Sequence, residues 1–430
     1  MTGIQTLMPD GPPGLLGTDP AATESAAAYA EAGGYADTLT PDRLLERLSE
    51  CGLRGRGGAG FPVAVKLRTV RDAGGSPVVV ANGEEGEPGS AKDRWLLRAR
   101  PHLVLDGLAR AAAITGARTA YVYVSDPAAA ERVKAALGEW THDVPVEVVE
   151  TAHTYVAGEE TAVVRRIDGG PALPTSKPPR PYQEGVGGRP TLVSNVETLA
   201  RIALIAARPD ERGHRTSRST LLTLSSGTAR PLLTEAPYGT TLRTLAEAQG
   251  TPDARGALMG GLFGGLIGGD SLNLPLDPTT LTAAGTSLGC GAIRFLGPGE
   301  CPASVAADAV DHLAAESARQ CGICVAGTSS ISTTLAALAT GKADDDAPDK
   351  LLRWSSSLPG RGACGLLDAS AGTAGSLLRI FPSLVRSHLD GPCPGCASSP
   401  PDGRRLVVPV PKITGIRSPE ARIPRPSPAP

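Results

Sequence analysis

Several short stretches of this sequence combine side chains and bare backbone suited to chemistry. The first is Gly52-Leu-Arg-Gly-Arg-Gly-Gly-Ala-Gly-Phe61, in which Gly55, Gly57 and Gly60 follow a G-x-G-x-x-G spacing. Backbone N–H groups without a Cβ in the way can approach a phosphate or a flavin ring closely. Arg54, Arg56 and Lys66 add positive charge for a phosphate. The usual dinucleotide fingerprint follows a strand, whereas a helix precedes this loop, so taken alone the spacing is weak evidence, and a mobile surface loop is the alternative reading. The second stretch is Asn82-Gly-Glu-Glu-Gly-Glu-Pro-Gly89. Its carboxylates Glu84, Glu85 and Glu87 repel one another. In a pocket they need donors such as ribose hydroxyls, ring N–H groups or a cation; in water they are an ordinary acidic turn.

A third stretch, Tyr155-Val-Ala-Gly-Glu-Glu-Thr161, sets Gly158, Glu159 and Glu160 at the start of an expected helix. Acids there also serve as plain capping, worth about 0.3–1 kcal/mol. Two further segments follow: the stiff run Lys177-Pro-Pro-Arg-Pro181, then Gly188-Arg-Pro-Thr-Leu-Val-Ser-Asn-Val-Glu-Thr-Leu199. Of the eight cysteines, Cys321/Cys324 and Cys393/Cys396 have C-x-x-C spacing, and Cys364 stands alone. Two thiolates three residues apart can share one metal or cluster. Metal or cluster ligation is a better reading of such pairs than a disulfide framework in a chain of 430 residues with no secretory signal in view.

The elements that must position these groups alternate. Pro41 opens a helix with Thr40 as N-cap and Leu44, Leu45 and Leu48 on one face. Pro77–Ala81, Thr119–Val124 and Val144–Val149 read as strands, and His102–Ile114 as a helix. The alternation predicts an α/β layer with a mainly parallel sheet, and the acidic motif falls at a strand's C-terminal end, where such sheets bind ligands. Thr220–Leu224, Pro237-Tyr-Gly239 and Leu242–Gln249 suggest a strand, a turn and a helix of a small α+β insert. Val305–Ala318, Ser329–Leu338 and Gly375–Leu389 have helical periodicity. The expected division is a mobile tail over 1–35, a cofactor-binding α/β domain over 36–215, an insert over 216–288, a helical domain over 289–390 and an extended Pro-rich tail over 391–430.

A net charge of −2 gives no reason to expect nucleic acid or an acidic membrane as partner. Aromatic residues make up only 3%, so the core must be built from Ala, Leu, Val and Ile. Apolar stretches such as Gly256–Gly269 are too short and too Gly-rich to span a bilayer. A cytoplasmic location is the expectation, with any approach to the inner face of the cell membrane made through partners.

Taken in order, these motifs resemble the NADH-binding flavoprotein subunit of respiratory complex I and its relatives in NAD-reducing hydrogenases and formate dehydrogenases. The resemblance covers about residues 44–390. It implies a Rossmann-like FMN/NADH domain, a β-grasp insert of the soluble-ligand-binding type and a C-terminal helical bundle holding a 4Fe-4S cluster. It assigns FMN to Gly55, Arg56, Gly57, Gly58, Lys66, Asn82, Glu84, Gly158, Glu159, Asn195 and Thr198. It assigns the nicotinamide side to Phe61, Glu87, Tyr155, Glu160 and Lys177, with Glu87 and Glu160 orienting the reacting end. Glu84 stands where the family usually has Asp, and Ser194 where it has Asn; both keep an acceptor.

Two departures are larger. The family stacks adenine between two phenylalanines, and the matching positions hold Thr69 and Arg180. A guanidinium can stack on a base or bind a 2′-phosphate, so NADH, NADPH and another donor all stay open. In the cluster pattern Cys-Gly-x-Cys-x-Pro-Cys plus one later Cys, the residues Cys321, Cys324 and Cys364 match, while Gly327 replaces a ligand. A 3Fe-4S cluster, or a 4Fe-4S cluster with a substitute ligand, follows; either one of Cys393 and Cys396 reaches back and completes the site, or the tail pair is solvated and ligates nothing. The implied activity is oxidation of NAD(P)H through FMN, with electrons passed to the cluster and on to a redox partner, either a ferredoxin-like subunit or a quinone-reducing module, in a hetero-oligomer. A ferredoxin-linked oxidoreductase with altered nucleotide use and a non-catalytic assembly subunit are the competing readings.

Overall fold

The chain opens with two short strands, β1 (Gln5–Leu7) and β2 (Ala22–Glu24), and a helix, α1 (Ala26–Glu31). They belong to a computed structural model that describes all residues except 1–3, 9–13, 37–38, 141–142, 208–214, 228, 403 and 418–430. The expectation of a mobile tail over 1–35 is corrected for the described part of that segment. Leu15 and Leu16 are fully buried, and the Leu15 N–H donates to the Glu235 carboxylate at 2.8 Å. Two leucines and one edge strand hold a segment whose average composition is that of a linker, because docking depends on particular side chains rather than on the mean.

Helix α2 (Pro41–Glu50) starts where Thr40 caps it, its hydroxyl accepting from the Arg43 N–H, and it buries Leu44, Leu45 and Leu48. Such a cap contributes about 1 kcal/mol. Helix α3 (Val63–Asp72) follows the glycine loop. Strand β3 (Val78–Asn82) then begins the first sheet, joined by β4 (Thr119–Val124), β5 (Val146–Glu150) and β6 (Thr191–Asn195) in the order β5-β4-β3-β6. All its pairings are parallel. Val78, Val79, Val80 and Ala81 are fully buried, as expected for a strand covered on both faces. Helices α4 (Lys92–Ala99), α5 (Pro101–Thr115), α6 (Pro127–Glu139), α7 (Glu160–Ile167) and α8 (Val196–Ala207) complete this layer. Gly107 explains how closely α5 and α8 approach, since a Cβ there would stand 1.9 Å from the Leu199 carbonyl oxygen.

Strands β7 (Ser219–Ser225) and β8 (Leu232–Pro237) form a hairpin and are followed by the helix Leu242–Ala248. Strands β9 (Gly256–Leu258), β10 (Leu266–Gly268) and β11 (Ala292–Phe295) complete a sheet of order β1-β8-β7-β11-β9-β10, with β11 parallel to β7. This is the hairpin–helix–return arrangement of a β-grasp unit, to which β1 adds an outer strand.

The remaining chain is mostly helical. Helices Pro302–Ala315, Gly322–Ala339, Ala347–Ser357 and Leu366–Ile380 share one apolar core that includes Leu313, Ile331, Leu335, Leu351, Leu367 and Leu377. The single helix expected over Gly375–Leu389 is two. Pro382 cannot continue the helix of Leu366–Ile380, and a new helix runs Pro382–Ser387. Among the described residues one helix, Gly322–Ala339, is long and apolar enough by length and composition to cross a membrane, which the sequence reading passed over. Its buried side carries Ile331, Leu335 and Leu338 into the shared core. The tail beyond 391 is also more structured than an extended run. It holds a helix at Pro394–Ser398 and strand β12 (Gly415–Arg417), which pairs in parallel with β2; residues 418–430 lie outside the described residues.

Candidate functional site

The expected binding residues gather at the C-terminal ends of β3 and β6. These strands are adjacent, and Asn82 and Asn195 are register partners across them. The glycine loop lies against β6 and α8. The Arg56 N–H donates to the Thr198 hydroxyl at 2.9 Å, and a Cβ on Gly57 would come 3.2 Å from the Asn195 Cβ. Gly58 and Gly60 adopt positive φ, at +105° and +62°, with open space where a side chain would be. The Arg56 guanidinium does not face this opening. It is buried, donating to the Ser217 and Ser219 carbonyls and lying over the Tyr238 ring. The loop's backbone, rather than this charge, therefore faces the cleft.

Lys66 and the Gly-Glu-Glu segment meet on the other side. Lys66 Nζ donates to the Val193 carbonyl at 2.7 Å and lies 3.8 Å from Glu160. Burial pushes its ammonium below the ordinary lysine value, against the pull of Glu160. Glu159 caps α7 through the Thr161 N–H at 2.8 Å and pairs with Lys177 at 2.6 Å; Lys177 also lies 3.4 Å from Glu160. Asn82 Nδ2 donates to the Gly158 carbonyl at 2.8 Å. Glu84 is buried, hydrogen-bonded by the Ser125 hydroxyl and 3.3 Å from His153 Nδ1. Phe61 is 51% exposed beside the loop; Thr69 is half-buried and Arg180 exposed.

Glu87 occupies a junction with the β-grasp unit. Its Oε2 accepts the Leu262 N–H at 3.0 Å and the Tyr155 hydroxyl at 3.4 Å. Burial drives its carboxyl from the ordinary 4.5 up to about 7, against those donors. Below about pH 4.5 the group is protonated in both folded and unfolded chains and contributes nothing. As pH rises through 7, the cost of burying its charge comes fully into play. Glu87→Gln is therefore expected to raise the melting temperature relative to the native chain at pH 8 and to change it little at pH 5. An equal shift at both pH values would refute this.

The three cysteines Cys321, Cys324 and Cys364 converge on one small cavity, which they line together with Pro174, Ser317 and Leu366. Cys321 caps the helix Gly322–Ala339, and Cys324 sits in its first turn. Cys364 stands two residues before the helix Leu366–Ile380, next to its N-cap Gly365. Two helix N-termini thus favour negative charge at this point. Gly327 cannot supply a ligand; it is wedged so that even a Cβ would meet Leu367 at 2.9 Å and Leu358 at 3.0 Å. Ser317, Arg319 and Gln320 bring polar groups to the same cavity, and the Ser317 hydroxyl lies 3.9 Å from Cys324 Sγ.

Two family models match the chain: the Nuo51 FMN-binding domain over residues 48–204 and the NADH-ubiquinone oxidoreductase-F iron-sulfur binding region over residues 304–388. The sequence is 32% identical to the F subunit, form 2, of NADH-quinone oxidoreductase in Rhizobium meliloti (strain 1021), over 84% of this chain and 94% of that one. The chain belongs to the family of NADH-quinone oxidoreductase F subunits. It is also 29% identical to the NADP-reducing hydrogenase subunit HndC of Solidesulfovibrio fructosivorans, over 82% of this chain and 77% of that one. Solved structures of an NAD+-reducing [NiFe]-hydrogenase in its H2-reduced and air-oxidised states superpose with TM-scores of 0.72 and 0.76 at 28% and 27% identity. They cover 81% and 95% of this chain, which spans only 63% and 73% of the longer hydrogenase chain.

As a member of this family, the chain carries an FMN-binding domain and an iron–sulfur binding region, and the residues present fit both groups. The open positive-φ glycines leave room for a flat ring and a phosphate. Lys66, Asn82 and Asn195 supply polar atoms around that space. Three thiols at two helix N-termini suit an anionic cluster. One expectation fails: Cys393 and Cys396 do not complete that cluster site. Their sulfurs lie instead with Cys301 and His388, all four ligand atoms within 4.8 Å of one another. The short helix Pro394–Ser398 turns both sulfurs toward Cys301, at the start of Pro302–Ala315.

The sequence reading named neither of two further neighbours of the site, Asp93 and Phe263, as a binding residue. Asp93 accepts from Asn195 Nδ2 at 2.6 Å and pairs with Lys92 at 2.6 Å. Phe263 stacks on Tyr155 with ring centroids 6.3 Å apart and planes 7° from parallel. Phe263 is 49% exposed in a Gly-rich turn, and nothing in its local pattern distinguishes it from a loop residue. Asp93 could have been suspected from its place at the start of a helix just after the acidic motif.

Proposed function

We propose that this chain oxidises NAD(P)H through FMN and hands the electrons to an iron–sulfur cluster and then to a partner subunit. The observation that carries the reading is the convergence of the glycine loop, Lys66, Asn82 and Asn195 at the ends of β3 and β6, with the three-cysteine cavity across the Tyr155–Phe263 pair. A Cβ on Gly365, next to Cys364, would touch the Phe263 ring at 2.9 Å, so the aromatic pair abuts the cluster site. Bound FMN converts a two-electron hydride into single electrons. The protein's part is binding and orientation. Gly57 and Gly58 admit the ring, Asn82 and Asn195 address its polar edge, and Asp93 and Gly158 hold those two amides in place. Phe61, Tyr155, Glu87, Glu160 and Lys177 line the nicotinamide side. Cys321, Cys324 and Cys364 hold the cluster, with a non-cysteine group at the fourth position.

Residues 36–215, 216–288 and 289–390 serve in this reading as nucleotide, docking and cluster units. The acceptor is a redox subunit of the same complex, ferredoxin-like or quinone-linked, and any membrane association runs through such subunits. The test is an anaerobic titration of the flavin-loaded protein with NADH and then NADPH, following the visible flavin band. Bleaching by either establishes nucleotide oxidation. Flavin that neither nucleotide bleaches would sink it and leave electron entry from a protein donor.

Arg180 decides between the nucleotides in this reading. A guanidinium recognises a phosphate through paired, charge-assisted hydrogen bonds. Arg180→Ala is expected to weaken NADPH binding roughly tenfold, about 1.4 kcal/mol, while NADH changes by less than about threefold. Equal weakening of both would mean that Arg180 stacks on the base instead.

A further inference from the structure

We propose that Cys301, His388, Cys393 and Cys396 form a structural zinc site, separate from the iron–sulfur site, that fastens the C-terminal segment to the helical region. His388 Nε2 lies 3.4 Å from Cys301 Sγ and 3.4 Å from Cys396 Sγ. All four ligand atoms fall within 4.8 Å of one another. Zinc bound tetrahedrally at about 2.3 Å from sulfur and about 2.0 Å from nitrogen sets its S···N separations at about 3.5 Å and its S···S separations at about 3.8 Å. The observed spacing is that of ligands sharing one ion. A four-iron cubane puts each thiolate on a different iron and holds its ligands farther apart.

The surroundings match a closed structural site. Cys301, His388 and Cys396 are 3%, 0% and 3% exposed and Cys393 is half-buried, so all four positions are taken by protein ligands and three of them are shielded from water. His388 Nδ1 faces the Leu384 carbonyl at 2.8 Å. That contact places the ring proton on Nδ1 and leaves the Nε2 lone pair directed at the sulfurs, the outer-shell arrangement usual for a zinc-bound histidine. The Cys396 N–H points at Cys393 Sγ from 3.5 Å, and Cys393-x-x-Cys396 has the spacing of a zinc knuckle. Thiolates with one imidazole select zinc among common divalent ions by softness and tetrahedral geometry.

The site holds a segment that reaches the nucleotide side. Beyond Cys396, Arg405 pairs with Asp308, and the Val408 N–H donates to the Pro88 carbonyl at 2.8 Å. Leu406 walls the same cavity as Glu87 and Gly89. The zinc thus fixes the wall behind Glu87.

The test is elemental analysis of the full-length protein purified without added metal, alongside the Cys393→Ser/Cys396→Ser double variant. About one zinc per chain is expected in the native protein, in addition to cluster iron. The double variant should lose the zinc, keep its iron, and be cut by protease after residue 390 at concentrations that spare the native chain. Should the variant fail to fold, the native protein still decides the matter. Cobalt exchanged into it should give the intense visible bands of tetrahedral coordination by three thiolates and one imidazole. A native chain without zinc, a Cys301–Cys396 disulfide found by mass spectrometry, or iron lost with the tail cysteines would each overturn the proposal.

Discussion

Glu197→Ala is expected to destabilise the protein by about 3–5 kcal/mol, the usual cost of stripping one partner from a buried ion pair, and to release its flavin. Glu197 is fully buried. Its carboxylate lies 3.1 Å from Lys92, 2.9 Å from Arg201 and 3.7 Å from Arg56, and it accepts the Leu221 N–H at 3.0 Å. Burial alone would raise its pKa, yet Lys92, Arg201 and Arg56 hold it down to about 2. Its contribution to stability is therefore fully present above about pH 4.5 and is lost as pH falls through about 2. Alanine leaves the cations without their shared acid. Lys92 also holds Asp93, which in turn holds Asn195, so the damage travels to the flavin side. Urea denaturation at pH 7 and the flavin retained after gel filtration would check this. Unchanged values of both would show that the network does not support the site.

Cys364→Ser is expected to cut electron delivery to a one-electron acceptor by on the order of a hundredfold, while nucleotide-driven bleaching of the flavin stays within about threefold. The asymmetry follows from position. Cys364 lies on the cluster cavity, beyond the Tyr155–Phe263 pair, and Lys66, Asn82 and Asn195 are not among the residues that line that cavity. Stopped-flow reduction, steady-state acceptor assays and iron content on one preparation would separate the two half-reactions. Equal loss in both would place Cys364 in the flavin site. Full iron content with undiminished transfer would remove it from the cluster.

Much of the framework was legible because it rests on local rules. Thr40 and Pro41 mark the start of α2, and Thr119–Val124 is the strand that its apolar run announces. Motifs at strand ends pointed to the site because parallel sheets place ligands there, and Asn82 and Asn195 do fall side by side. What was not legible depends on contacts distant in sequence. Lys92, Glu197 and Arg201 look like solvated charges on helices, and only mutual compensation lets them go inside. Gly107 looks like a weak point in a helix until α8 is laid across it. Cys301 and His388 sit 87 residues apart; His388 stands only five residues before Cys393, so the run His388, Cys393, Cys396 was the readable part of the ligand set, while Cys301 has no such neighbour to advertise it. Leu15 and Leu16 were hidden by the average composition around them.

The pairing of β12 with β2 has a consequence for how the chain assembles. Thr414 and Ala21, 393 positions apart, are joined beside it. Closing a flexible loop of that length costs about 5 kcal/mol of chain entropy, more than a three-residue parallel ladder can repay by itself. The clasp therefore closes only after the domains between have folded and carried its two halves together. Made last, it is also released first when the molecule loosens, so β2 and β12 part while Leu406 still closes the cavity behind Glu87.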